Sequence, residues 1–336
     1  MAGLWLWEKI FGAKEWVLRS FNIPWLLLGC WGFLYYWRVT DSFKFTALAC
    51  LLFSPFTWFY LDEARPYVMQ IGAGVLTVCA THHLIYLRDP KKLSADLLCF
   101  LAATLILSLA SLFAMVLAFL FYLVIMTDVL FRPRHGIEYL TNKVCRLLLG
   151  TFAIPFCMLA GYYLWTLSLG AKASGVGGTG LLNLPFAVYE IAGFSGLGPD
   201  RNRIRADLMG AFFSHLFPLL LGLSAYALVV VSAWQSQSTE DRKFRIVWAS
   251  GLGLLLVGAV VSWLVGWFGG FRLLGRHLAP MFPLAVVLFG AVLLTAWRIR
   301  LGRRAVLLLV AVLLFSCFNQ RFHPRLPKII TGEQRL

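Results

Sequence analysis

The chain has 336 residues, of which 60% are hydrophobic and 13% charged. Soluble domains run at about 45–50% apolar and about 25% charged, so a soluble enzyme, a disordered tail and a fibrous protein are excluded. The net charge of +15 sits in loops between apolar runs. That placement points to membrane topology and an anionic partner at the membrane face, and away from nucleic acid.

Residues 1–21 come first. Leu4, Trp5, Trp7, Ile10, Phe11, Trp16, Val17 and Phe21 have charged residues between them, the pattern of an amphipathic helix lying in the membrane interface. Glu8, Lys9, Lys14, Glu15 and Arg19 argue against a cleavable signal peptide. A spanning helix needs roughly 20 apolar residues, and the runs that follow predict about ten spans. These are 22–37, 45–61, 67–87, 96–111, 113–131, 147–167, 208–234, 246–268, 279–297 and 305–318. The fourth and fifth are split near Ser108–Ser111, because about 36 residues is too long for one helix in an ordinary bilayer. The predicted organisation is an all-α, polytopic transmembrane bundle. Residues 22–167 form a first membrane bundle with an outer turn at 62–66, and 168–207 an outer loop. Residues 208–318 form a second bundle, and 319–336 a tail.

Loop charges orient this bundle. Arg38, Lys44, Arg88, Lys91, Lys92, Arg132, Arg134, Lys143, Arg146, Arg242, Lys243, Arg245, Arg298, Arg300, Arg303 and Arg304 fall in short loops on one face, which is therefore expected to be cytoplasmic. The other face also carries cations, among them Arg65, Lys172, Arg201, Arg203, Arg205, Arg272, Arg276 and Arg321. Recognition of an anionic phosphate is one reason to tolerate them there. The indifference of long translocated loops to charge is the other.

Three outer segments carry residue types suited to chemistry. In Ser54-Pro55-Phe56 through Asp62-Glu63-Ala64-Arg65-Pro66-Tyr67, three charges meet in a helix-to-helix turn. Pro66 pushes the residue before it out of helical geometry. Asp62 or Glu63 has the chemistry of a base or of a divalent-cation ligand. Arg65 has the fork that fits a phosphate, and Tyr67 offers a hydroxyl. A charged cap with an internal Glu–Arg pair is the plainer reading. The loop 168–207 opens on a Gly-rich stretch, 174–180, that lacks the Gly-Lys-Ser/Thr of a Walker loop and reads as a linker. It continues through Tyr189 and Glu190, a second carboxylate candidate, to Arg201, Arg203 and Arg205, and has the make-up of a lid or substrate-binding loop. In Gly270 to Pro280, Arg272, Arg276 and His277 lie where a lipid phosphate would sit; interfacial snorkelling is the alternative.

His82 and His83 read as residues of a span end away from this chemistry, and His215 as a helix–helix hydrogen-bonding group. The seven cysteines show no metal spacing and read as small hydrophobes.

Phe11-Gly12-Ala13-Lys14-Glu15-Trp16-Val17-Leu18-Arg19 resembles the FG-x-x-E-x-x-x-R segment that enters the second span of bacterial GT-C glycosyltransferases. Ser54-Pro55-Phe56 with Asp62-Glu63-Ala64-Arg65-Pro66-Tyr67 resembles the "SP…EARxY" turn of that family. Gly275-Arg276-His277-Leu278-Ala279-Pro280 resembles the start of one of its late spans. The relatives are the protein O-mannosyltransferase-like and lipid A aminoarabinose transferase-like enzymes of the cell envelope.

The resemblance implies a GT-C-like fold in the bacterial inner (cytoplasmic) membrane and an inverting glycosyltransferase. Its donor would be a polyprenyl-phosphate-linked sugar, and its acceptor a hydroxyl of a protein, lipid or glycan at the periplasmic face. It fits Asp62 or Glu63 as the base and Arg65, Arg272 and Arg276 as phosphate-binding groups; the residue reading adds Glu190 as a catalytic candidate and Tyr67, Tyr189 and His277 as substrate-binding candidates. No cofactor follows, beyond the divalent cation that Asp62 or Glu63 would hold. The family's main catalytic carboxylate lies in a first outer loop, after a span that this sequence does not contain. Two expectations follow: a truncated chain inactive alone, or Asp62 and Glu63 serving as the base. A lipid-linked-saccharide flippase or other transporter is the non-enzymatic alternative.

Overall fold

The computed structural model describes residues 2–63, 65–87, 89, 91–131, 137–168, 179–199, 204, 207–236, 242–270 and 272–322. Among them there is no strand. Fifteen α-helices are named here in chain order: α1 Ala2–Phe11, α2 Glu15–Ser20, α3 Asn22–Trp31, α4 Asp41–Leu52, α5 Pro55–Leu61, α6 Tyr67–His82, α7 Leu93–Ala110, α8 Leu112–Phe131, α9 Ile137–Ser168, α10 Asn183–Ile191, α11 Leu208–Ser214, α12 Leu216–Gln235, α13 Arg242–Gly269, α14 Phe282–Ala296 and α15 Arg300–Phe322. Two π-helical turns, Gly32–Tyr36 and His83–Leu87, continue α3 and α6. A 3₁₀ segment, Gly275–Met281, leads into α14.

Eight of these stretches are long and apolar enough to cross a membrane, nine if the pair α4–α5, bent by 54°, counts as one. This is the architecture of a multi-pass membrane protein. Two stretches form its interior: the Tyr67–Leu87 span is 89% buried and Gly275–Ala296 72%, against 17% for Val247–Gly269. The peripheral helices turn Leu, Val and Phe outward, as lipid-facing helices do, since a hydrocarbon solvent gives no reason to hide them.

Small residues bring the central helices close. A Cβ on Gly72 would stand 2.3 Å from the Trp25 carbonyl oxygen, and one on Gly74 would stand 2.7 Å from that of Pro280. Glycine is what lets α3 and the 275–281 segment pack directly on the backbone of α6.

Breaks in the helices follow local chemistry. Gly12, at φ +100°, separates α1 from α2. The sequence pattern predicts one interfacial helix over 1–21. Instead, α1 exposes Trp5, Leu6, Ile10 and Phe11, whereas α2 runs on into the first candidate span, Glu15–Tyr36. Ser54 caps α5, accepting from Phe56 N–H, with Pro55 at the first turn where its missing donor costs nothing. Ser111 separates α7 from α8 in extended geometry, and its Oγ caps α8 by accepting from Ala114 N–H at 3.1 Å. The predicted span 147–167 lies within α9, which contains Pro155 and the apolar stretch Phe152–Thr166. His215 lies at the junction of α11 and α12. Its Nδ1 stands 2.9 Å from both Ala211 O and Ser214 Oγ, so it serves the local backbone where a contact between helices was expected.

Candidate functional site

The bundle has two polar ends. One gathers the turn 62–66, the end of α10, the segment 272–277 and Ser111. The other gathers Arg38, His83 and Asp96.

At the first end the three sequence motifs meet. Arg19 of α2 forms ion pairs with Glu15, one helical turn earlier, and with Asp62 of the turn. Asn22, fully buried at the start of α3, donates through Nδ2 to the carbonyl oxygens of Leu61 at 3.2 Å and Glu63 at 2.6 Å. It thereby satisfies backbone acceptors left over where α5 ends. The charged turn is thus fastened to the segment 15–22 by Arg19 and Asn22.

The turn is also joined to the 275–277 segment. The Arg276 guanidinium lies over the Tyr67 ring at 5.9 Å from its centroid. Next to it, Gly275 N–H donates to Oε2 of the buried Glu190 at 2.7 Å. His277 accepts at Nδ1 from Leu274 N–H at 3.1 Å and stacks on Phe113 at 4.3 Å. With Nδ1 an acceptor, a neutral His277 carries its proton on Nε2. Thr179 Oγ1 accepts from Leu273 N–H at 2.9 Å, and Asn183 donates to Leu273 O at 3.0 Å, so the 168–207 segment holds the loop before Arg276 at two further points.

Of the sequence-predicted residues, Glu190 and Arg276 are therefore joined through neighbouring backbone, and Arg276 and Tyr67 touch. Asp62 is exposed and bound to Arg19, a partner from outside its own turn. Glu63 is half-buried, and its Oε2 is buried with no hydrogen-bond partner among the described residues. Arg65 is exposed and Arg272 half-buried. Tyr189 turns away from the turn: its hydroxyl donates to Pro199 O at 3.3 Å and its ring packs on Phe186 and Phe194. Arg201, Arg203, Arg205 and the linker residues 174–178 lie outside the described residues.

Charge reasoning along the sequence passes over Asn22 and Gln70. Gln70 is 1% exposed, one turn into α6 from Tyr67. Its Oε1 is buried without a partner among the described residues, and so is Arg276 Nε. The available signal is an amide inside an otherwise apolar run. No group of three or more His, Cys, Asp or Glu side chains that could hold a metal ion occurs among the described residues.

Beside this end opens an apolar cavity of about 690 Å³ between α4, α12, α14 and α15. It extends from Ser42 and Trp297, past Phe45, Phe289 and Leu309, to Ser54, Val188 and Ala192. Val188 and Ile191 belong to α10 and Ala192 follows its end, so the cavity meets a face of that helix other than the one that turns Glu190 to Gly275.

The opposite end is an ionic network. Asp96, 3% exposed at the start of α7, accepts from the Tyr36 hydroxyl at 3.0 Å and pairs with Arg38 and with His83 Nδ1, the latter at 3.1 Å. His83 Nε2 accepts from Arg38 N–H at 3.0 Å, and Arg38 reaches Asp89 at 3.7 Å. The network joins α3, α6 and α7 where the first π-helical turn ends and the second begins. A span-end role away from the 62–66 turn is what the sequence reading assigns to His83; its tie to a buried carboxylate is visible only in three dimensions.

No protein-family profile matches the chain, and neither a curated protein nor a solved structure resembles it closely enough to count as a match.

Proposed function

We propose that the chain is an integral membrane glycosyltransferase of GT-C type, moving a sugar from a polyprenyl-phosphate donor to an acceptor hydroxyl at the periplasmic face of a bacterial inner membrane. The observation that carries this reading is the convergence of Tyr67, Arg276 and Glu190 at one end of the bundle, at the turn that carries Glu63, whose Oε2 is buried without a partner among the described residues. The apolar cavity, which reaches Val188, Ile191 and Ala192, has the lining a prenyl chain would need. Ten spans follow if the bent pair α4–α5 and the apolar part of α9 each cross once.

In this reading Glu63 takes the proton from the acceptor hydroxyl. That oxygen attacks the anomeric carbon as the bond to the phosphate oxygen breaks, and the electron pair leaves on the prenyl phosphate. Arg276, with Arg65 and Arg272 close in sequence to the same cluster, offsets the charge that develops there. Asp62, held by Arg19, positions the turn. Glu190, hydrogen-bonded to Gly275, positions the loop that carries Arg276.

The test is transfer of labelled hexose from polyprenyl-phosphoryl hexose in vesicles containing the protein. Glu63→Gln and Arg276→Ala are each expected to lower transfer about a hundredfold or more. Unchanged product formation in both variants removes the assignment. A transporter reading draws on the buried ionisable pair Asp96–His83. Accumulation of the lipid-linked sugar across the vesicle wall, without a new glycosidic bond, would favour it.

A further inference from the structure

Tyr67, Gln70 and Gly74 fall at spacings of three and four residues, so they share one face of α6. That face meets the 275–281 segment at both ends: Arg276 lies over Tyr67, and the Pro280 carbonyl lies against Gly74. Gln70 sits between these contacts, about 4.5 Å along the axis from Tyr67 at 1.5 Å per residue. Its Nε2 donates to Ser111 Oγ at 3.5 Å, which ties it to the turn between α7 and α8. Its Oε1 and Arg276 Nε are both buried with no partner among the described residues.

A buried polar group without a partner costs about 1–3 kcal/mol. Two of them on facing segments, one a donor and one an acceptor, are satisfied by a water or by a ligand group that supplies both a hydrogen and a lone pair. Arg276 Nε–H requires an acceptor and Gln70 Oε1 requires a donor. A phosphodiester offers only acceptors at neutral pH. A sugar hydroxyl offers both.

We propose that Gln70 is a specificity-determining residue that accepts a hydrogen bond from a hydroxyl of the donor's sugar, so that the protein distinguishes the sugar-bearing lipid from the bare prenyl phosphate. This inference rests on the glycosyltransferase reading above. It assigns Arg276 to the charge of the phosphate and the neighbouring oxygen, and Gln70 to the sugar alone.

The test compares binding of two probes, undecaprenyl phosphate and undecaprenyl-phosphoryl hexose, to the full chain in detergent micelles. Wild-type protein is expected to prefer the hexosyl lipid. Gln70→Leu is expected to weaken hexosyl-lipid binding roughly tenfold, the scale of one buried hydrogen bond, and to leave bare-phosphate binding unchanged. Gln70→Met, closer in shape, is expected to do the same and stands in should the leucine variant not fold. Equal weakening for both lipids, or an unchanged preference, overturns the role of Gln70, the second result meaning that water alone satisfies its oxygen. Failure of wild-type protein to bind either lipid overturns the glycosyltransferase reading, and this inference with it. Binding of both with no loss on substitution overturns only this inference.

Discussion

The two ends of the bundle hold similar residue types and use them differently. At the Arg38 end, Asp96 spends both carboxylate oxygens on Tyr36, His83 and Arg38, and His83 has a partner at each ring nitrogen. The unpartnered nitrogens there, Trp37 Nε1 and His82 Nδ1, belong to rings beside the ionic network rather than to it. At the 62–66 end, Asn22 Oδ1, Glu63 Oε2, Gln70 Oε1 and Arg276 Nε are buried without a partner among the described residues. A closed network fixes helices relative to one another, whereas an open one leaves donors and acceptors for water or a ligand to satisfy.

The sharpest way to break this comparison is Asp96→Ala. Removing the centre of a buried ionic network leaves Arg38 with only the longer contact to Asp89 and His83 Nδ1 without its acceptor, with an expected loss of about 3–5 kcal/mol. Thermal unfolding in detergent measures it. A variant that melts with wild type would show that the Arg38 end does not act as a staple. Gly275→Ala tests the other end. Its Cβ would stand 2.6 Å from Glu190 Oε2 and 2.8 Å from Glu190 Cβ. We expect about 1–3 kcal/mol of destabilisation and, because Arg276 moves with the loop, a loss of sugar transfer larger than the melting shift explains. Transfer assayed well below the midpoint separates the two effects. The smallest effect is expected from Asp62→Asn. The carboxylate is 48% and Arg19 36% exposed, so their pair contributes less than about 1 kcal/mol and fades with added salt. A large, salt-independent loss on melting would mean that this link is part of the interior framework.

Much of the architecture was legible along the chain because the bilayer is a strong constraint. Each predicted apolar run lies in or overlaps described helix, and the split near Ser108–Ser111 falls where Ser111 leaves helical geometry. The candidate cluster was legible in part. Arg276, Tyr67, Glu63 and Glu190 carry charge or hydroxyls in loops, and such residues stand out against apolar neighbours. Asn22, Gln70 and Asp96 did not stand out, because one polar residue at the edge of or inside an apolar run reads as a tolerated exception until its partners are known.

The sequence by itself determined that this chain is built from apolar helical runs of membrane-crossing length, and which short segments concentrate charge. Those properties depend on hydrophobicity summed over neighbours, a quantity local to the chain. Only the tertiary structure decided that Arg19 holds Asp62, that Gly275 holds Glu190 and that Arg276 covers Tyr67. These partners are 43, 85 and 209 residues apart. Such pairings arise from how helices pack, and no pattern along the chain encodes which loop ends will meet.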